Sequence, residues 1–425
     1  MKRLAALALL VAGVAARAET VAIVHARAWT MTAPQPVEDA TIVMAGGHVV
    51  AVTPQGSPPP GARVIDAGGH VVTPGLVDAA TQIGLVEVPT ARDTDDRAAR
   101  TGPLGPAFDT SYALNDNSVL IAVARADGVT RAMSFPEAAA TAPFTGMGAV
   151  IRLRTSGSIL ERPRAAMFAA IGDGSQSQAG GSRAAQWTLL RNALAEARRF
   201  AAAPRGAGPR DQLLDRPDIE ALQPVIAGTM PLAIRADRAS DIREAIRLAG
   251  DLHIRVVLLG GAEAWSLAAD LARVRIPVIL DPQDDLPQTF DWLGARLENA
   301  ALLAKAGVAI AFSVSGNTIY LSHDAGIAMR EGAGLAVANG LPYAAALRAI
   351  TATPAEIWGI AHAGTLAPGA DADLVIWDGD PLEPASAASH VFVGGVEASL
   401  ATRQIELRDR YAPQRANDPL PPGYR

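Results

Sequence analysis

Cysteine is absent from all 425 residues. That excludes disulfides, thiolate zinc sites, a cysteine nucleophile and a lipid-modified cysteine behind an export signal. Lysine is nearly absent too: apart from Lys2 and Lys305 the basic residues are arginines, a coding bias with no functional message. No basic stripe is left to track a phosphate backbone, so nucleic acid is not an expected partner. No G-x-G-x-x-G opens a helix. The stretch 172–182, GDGSQSQAGGS, is glycine-rich without that spacing and reads as a mobile loop ahead of a helix over 183–203.

What is present suits a packed globular body: 49% apolar residues, 19% charged, and enough length for a barrel-sized domain with a smaller companion. Residues 1–18 carry Lys2 and Arg3, an apolar stretch Leu4–Ala15 and the small-residue pattern Ala16-Arg17-Ala18. The expectation is an export signal cut after Ala18, with a periplasmic or secreted mature protein. The apolar run is too short to cross a bilayer, which takes about 20 residues, so the mature protein is expected to have no membrane span. Cleavage would leave 34 basic against 43 acidic residues, a net charge of −9.

Residues 19–72 read as short strands with turns at Gly46-Gly47 and Gly68-Gly69 and a Pro-rich loop at 57–61; strands return over 363–425. Both ends are therefore expected to build one small β-sandwich domain around a different middle. Over 73–362 the period changes. Expected helices cover 241–250 (with Ser240 as N-cap), 262–273, 290–306 and 325–338, between apolar strands at 254–259, 276–280 and 308–312. Repeated β-α units with non-alternating apolar strands indicate a buried parallel sheet. The fold class is α/β, and a TIM-like (β/α)8 barrel fits the number of units better than an open doubly wound sheet.

Four stretches carry a resemblance: ARVIDAGGHVVTPGLVDA, RADRASDIREAIRLA, LLGGAEAWSLAADLARVRIPVIL, and TATPAEIWGI with GTLAPGADADLVIWDGDPL. They resemble, in turn, the entry into the barrel, two central segments and, most closely, the return to the sheet domain of the amidohydrolase superfamily, in its imidazolonepropionase-like and dipeptidase-like subgroup. The resemblance implies a zinc-dependent hydrolase acting on carbon–nitrogen bonds, with its site at the C-terminal ends of the barrel strands. Residues 73–84 read TPGLVDAATQIG where the family reads PGLVDAHTH, so Ala80 and Gln82 stand at the His-x-His positions. By the same resemblance Gly260 stands for a later histidine and Ser315 for the final aspartate. Arg235 and Asp237 follow another strand, and Asp281 a further one.

A catalytic zinc needs about three protein ligands and one open position. Asp237 and Asp281 could supply two oxygens, and the Arg235 guanidinium would repel a cation. No lysine stands at a strand end to be carboxylated. The expectation is therefore a divergent member without metal or other cofactor. Its pocket would be lined by Ala80, Gln82, Arg235, Asp237, Gly260 and Ser315 and could hold a small polar ligand. It would act as a binding protein or as the partner of an active amidohydrolase paralogue or of its own copies. The alternative is an active hydrolase of dipeptide or non-peptide C–N bonds with Asp237 and Asp281 as its acid/base pair; the bland reading of those two is an ion pair with Arg235 or Arg238 and a turn cap before Pro282. His25, His48, His70, His362 and His390 fall in the terminal strands, and His253 at the far mouth of the barrel. His323, between Ser322 and Asp324, lies on the functional side; sequence neighbours do not make a triad. The insert 88–118, rich in charge, Gly and Pro, should lie over the barrel mouth as a solvated lid or a contacting flap.

Overall fold

The computed structural model describes residues 19–88, 91–139, 142–172, 175, 179–202, 213–314 and 324–412. The expected export signal, part of the glycine-rich stretch 172–182, Ser315, Ser322 and His323 lie outside them. Among the described residues no helix is long and apolar enough to cross a membrane.

The N-terminal part gives β1 (Val21–Ala28), β2 (Val37–Ala45), β3 (His48–Pro54), β4 (Arg63–Asp66) and β5 (Val71–Pro74). The barrel strands are β6 (Leu76–Thr81), β7 (Val129–Ser134), β8 (Phe144–Arg152), β9 (Leu160–Ala170), β10 (Leu232–Ala236), β11 (Val256–Gly260), β12 (Val278–Leu280) and β13 (Ile310–Phe312). After them come β14 (Leu374–Trp377), β15 (Ala388–Val393) and β16 (Val396–Glu397).

Both ends of the chain do meet in one sheet, ordered β16-β15-β14-β5-β1-β2-β3 with β4 on β1. All eight strands are hydrogen-bonded into that single sheet, where the sequence suggests a two-layer sandwich. The seam between the ends is the antiparallel pair β5–β14, in which Val72, Thr73 and Pro74 face Ile376, Val375 and Leu374. Alternation puts Ile23, Ile42, Met44 and Phe392 into a separate apolar core.

The middle forms an eight-stranded sheet in the order β13 to β6. Every residue of β6, LVDAAT, is buried, as are all three of β12 and of β13, which is the mark of a sheet covered on both faces. The curl is nearly closed on its open side by the segment after β13. Val77 donates to the Ile350 carbonyl and the Trp358 indole to the Ala79 carbonyl at 2.7 Å. One strand breaks the expected pattern. β8 runs antiparallel to both β7 and β9, so the barrel has seven parallel strands and one reversed.

Several element boundaries differ from the sequence reading, each for a local reason. The helix expected from Asp241 starts at Ala239, with Arg238 at the N-cap position and Ser240 inside it. Glu263 Oε2 reaches back to accept from the Ala239 amide at 2.8 Å and takes the capping role. The same carboxylate accepts from the Gly294 amide at 2.8 Å. That grip splits the helix expected over 290–306 into a 3-10 turn Phe290–Trp292 and a helix Asn299–Lys305. The stretch 262–273 likewise divides into Ala264–Leu267 and Ala268–Val274. The helix Ala325–Ala338 has the expected bounds.

Barrel and terminal sheet are tied by a buried ionic knot. Arg131 on β7, only 1% exposed, contacts Asp371 and Asp373 from the segment leading into β14 and bonds Glu161 at 2.8 Å. Arg152 adds a second bond to Asp373 at 2.6 Å. The GADADLV run thus serves as the clamp that docks the sheet on the barrel. Three histidines of the terminal sheet pair near its surface with acids outside the barrel: His25 with Asp66, His48 with Asp371 and His390 with Glu397.

Candidate functional site

The C-terminal end of β6 is not open. Ala80 and Gln82 are both 1% exposed, and the Gln82 side-chain carbonyl accepts a hydrogen bond from Arg97 Nη1 at 2.7 Å. Arg97 comes from the insert after β6 and is itself 5% exposed. Its Nε faces Asp95 at 3.1 Å and Glu137 at 2.6 Å. Main-chain bonds fasten the same stretch: Glu137 donates to the Arg97 carbonyl and Ala99 to the Ala138 carbonyl. Further along, Asp218 accepts from Gly105 and Ala107, and Asp109 binds Arg164 at 2.6 Å. The insert therefore lies against the mouth, as its position after β6 suggests, and is held down by buried polar contacts where a solvated lid would be free.

Across the barrel, β10 and β12 are each followed by an acid. Asp237 follows β10, beside Arg235, and its carboxyl fills the space over Gly260. Gly260 has φ +91°, and a Cβ there would collide with the Asp237 carboxylate. Asp281 follows β12 and caps the turn Pro282–Asp284 by accepting from the Gln283 amide at 3.0 Å. Asp285, 2% exposed, accepts from the Asn299 side chain at 3.0 Å. Asp78, inside β6, is 1% exposed and accepts from the Ala80 amide at 3.1 Å.

Burial pushes Asp78 up to about 7 against the bonds from Ala80 and Thr81, and the nearby charge of Asp281 adds to the rise. Burial pushes Asp285 up to about 8; the Asn299 bond opposes this, while Asp281, Asp284 and Asp237 reinforce it. Asp237 is also raised by burial, with Arg235 and Trp292 pulling the other way. Asp281 thus raises both Asp78 and Asp285, and Asp237 adds to the rise of Asp285, so that Asp78 and Asp285 hold protons near neutrality. Asp78 Oδ2 and Asp285 Oδ2 are buried with no hydrogen-bond partner among the described residues.

Of the residues singled out in the sequence, Arg235, Asp237 and Gly260 come together, and Asp281 lies close enough to Asp285 and Asp78 to shift both. Ala80 and Gln82 stand on the β6 side, covered by Arg97. Ser315 is outside the described residues. Arg97, Asp78 and Asp285 were not singled out. Asp78 could have been found, because an acid inside the apolar run LVDAAT must be satisfied or neutral. Arg97 could not, since ARDTDDRAAR offers three arginines alike.

The residues at the zinc positions implied by the resemblance make a poor fit to a cation. Ala80 has no donor atom, the Gln82 oxygen is engaged by a guanidinium, and the space of a Gly260 side chain is taken by Asp237. Among the described residues no three His, Cys, Asp or Glu side chains converge as metal ligands.

The profile of the Amidohydrolase family matches residues 237–401. An amidohydrolase from Thermotoga maritima MSB8 is 26% identical, and its solved structure superimposes over 89% of this chain and 99% of its own with a TM-score of 0.78. A molinate hydrolase, 16% identical, shares the fold over 95% of this chain and 99% of its own, with a TM-score of 0.55. Amidohydrolase tasK of Hapsidospora irregularis is 44% identical over 57 residues, which are 13% of this chain and 6% of that protein. The α/β barrel, the sheet built from both ends and these likenesses agree: over residues 237–401 the chain is similar to the Amidohydrolase family, and over most of its length it has the fold of a solved amidohydrolase.

Proposed function

We propose that this protein is an amidohydrolase-fold protein that works without the family's metal, as a non-catalytic binding or partner subunit. The observation that carries the reading is the bond from Arg97 to Gln82. A buried guanidinium lies against the residue at the second His-x-His position. A permanent cation there replaces charge that a metal would bring and disfavours binding one, because like charges repel strongly where water is excluded. A small polar ligand would be held by Arg235 and Asp237, since Gln82 is covered by Arg97; the macromolecular partner would be an active amidohydrolase paralogue or a second copy of the chain. Export with cleavage after Ala18 belongs to the same proposal, and intact mass of the mature protein tests it.

The direct test is metal content together with turnover on a panel of amides, dipeptides and ureas. The reading expects no stoichiometric metal and no chelator-sensitive hydrolysis; stoichiometric zinc with chelator-sensitive turnover overturns it. The second reading, a metal-independent hydrolase, is favoured by one observation: the acids around Asp237 and Asp281 titrate near neutrality, where general acid–base groups are most effective. It expects turnover that survives chelation and is lost in Asp237→Asn or Asp281→Asn.

A further inference from the structure

The barrel has a second concavity at its other end. A cavity of about 500 Å³ opens where β11, β12 and β13 begin, away from the mouth that carries Gln82 and Arg97. Ile254, Val257, Val274, Ile276 and Ile357 give it an apolar wall, with Thr353 and Glu356 as polar members. Ile254, Val257 and Ile276 are buried. Arg255 and Arg275 stand at its rim, both exposed. Neither has an acidic partner among the described residues, in a chain whose net charge is −6.

Arg255 has another arginine beside it. Arg162, whose guanidinium donates to the carbonyls of Trp358 and Gly359, lies close enough to Arg255 to be disfavoured by its charge. The acid in the lining, Glu356, is engaged by Arg348 at 2.7 Å. Arg275 is held in place by its backbone: with φ +57° it closes the helix Ala268–Val274 and turns the chain into β12. An apolar cavity rimmed by unpaired guanidiniums complements a molecule with an anionic head and an apolar body. Two arginine forks suit a carboxylate, which each can bind in bidentate fashion. The volume is within the ordinary range for small-ligand sites.

We propose that this cavity binds a carboxylate on an apolar body, with the carboxylate between Arg255 and Arg275 and the chain against Ile254, Val274 and Ile357. The site is independent of the barrel mouth. Two sources share the chemistry, a free aliphatic carboxylate and the acidic end of a peptide, and the test separates them.

Isothermal titration calorimetry of the full mature chain with decanoate, decanol and a short peptide ending in leucine provides that test. Decanoate is expected to bind one to one, and decanol roughly tenfold or more weaker, the value of one lost charge-assisted pair. Added salt should weaken decanoate and leave decanol unchanged. The doubly substituted Arg255→Gln/Arg275→Gln protein should bind decanoate no better than decanol. Both side chains are exposed, so the variant should melt at the unaltered temperature; should it not, the comparison of decanoate with decanol on the unaltered protein still decides. Tighter binding of the peptide than of decanoate assigns the site to a peptide carboxylate. Absence of saturable decanoate and peptide binding, or equal affinity for decanoate and decanol, overturns the proposal.

Discussion

Replacing Arg97 with Met keeps the length of the side chain and removes its charge, so the effect reads out the polar contacts at the barrel mouth. Three groups lose a partner. The Gln82 carbonyl oxygen, in a residue 1% exposed, is left unsatisfied, at a cost of about 1–3 kcal/mol. Asp95 keeps the exposed Arg100 at 3.1 Å and loses the buried guanidinium at the same distance. Glu137 has a side chain 46% exposed, so its share is under about 1 kcal/mol. The sum is about 3 kcal/mol, concentrated in the stretch 95–99 and its neighbour 137–138. Unfolding of a chain this size need not be two-state, so local opening is the better observable. The amides of Ala99 and Glu137 bond to the carbonyls of Ala138 and Arg97 and should exchange roughly 100-fold faster in Arg97→Met. Arg100→Met, at an exposed position, should change exchange little. In Gln82→Leu/Arg97→Met the loss should be less than the sum of the single changes, because the introduced leucine side chain needs no donor. Unchanged exchange in Arg97→Met, or strict additivity, would refute the assignment of Arg97 as the clamp on Gln82.

Other consequences follow from the same contacts. Asp78 and Asp285 are raised to about 7 and about 8 from an ordinary carboxyl value of 3.8. Between these limits the folded state binds more protons than the unfolded chain, so their contribution lowers stability as pH rises from about 4 to about 8. Asp78→Asn and Asp285→Asn should each flatten that decline, seen as a smaller fall in melting temperature between pH 5 and pH 8; a steeper fall would contradict the assignment. Gly260→His should destabilise the protein, by about 1–3 kcal/mol from the φ of +91° alone and further by the collision with Asp237. Denaturant melts check this, and a neutral effect would contradict it. Arg131→Met should cost about 3–5 kcal/mol, because Asp371, Asp373 and Glu161 lose a shared buried cation. Limited proteolysis between the barrel and the terminal sheet should then accelerate.

Much of this fold is legible in the chain, because periodicity reports burial directly. The apolar runs LVDAAT, VVLLG and IAF become fully or almost fully buried barrel strands, and the helix Ala325–Ala338 emerges with its expected ends. The reversal of β8 is not legible, since FTGMGAVIR looks the same in either direction. The breaks at Ala239 and Gly294 depend on Glu263, which is distant in sequence from both and contacts their amides only once the chain has folded. The same limit applies to the site. What is missing at Ala80, Gln82 and Gly260 can be read from single positions. What fills the space, Arg97 over Gln82 and Asp237 over Gly260, comes from other segments and needs the packed barrel.

Metal analysis of protein purified without chelator and then equilibrated with zinc addresses the central claim most directly. A family-type site with three protein ligands would retain about one zinc per chain through gel filtration. The account predicts that no stoichiometric zinc is retained and that zinc does not raise the melting temperature. Stoichiometric retention, with chelation lowering the melting temperature or abolishing turnover, would contradict it.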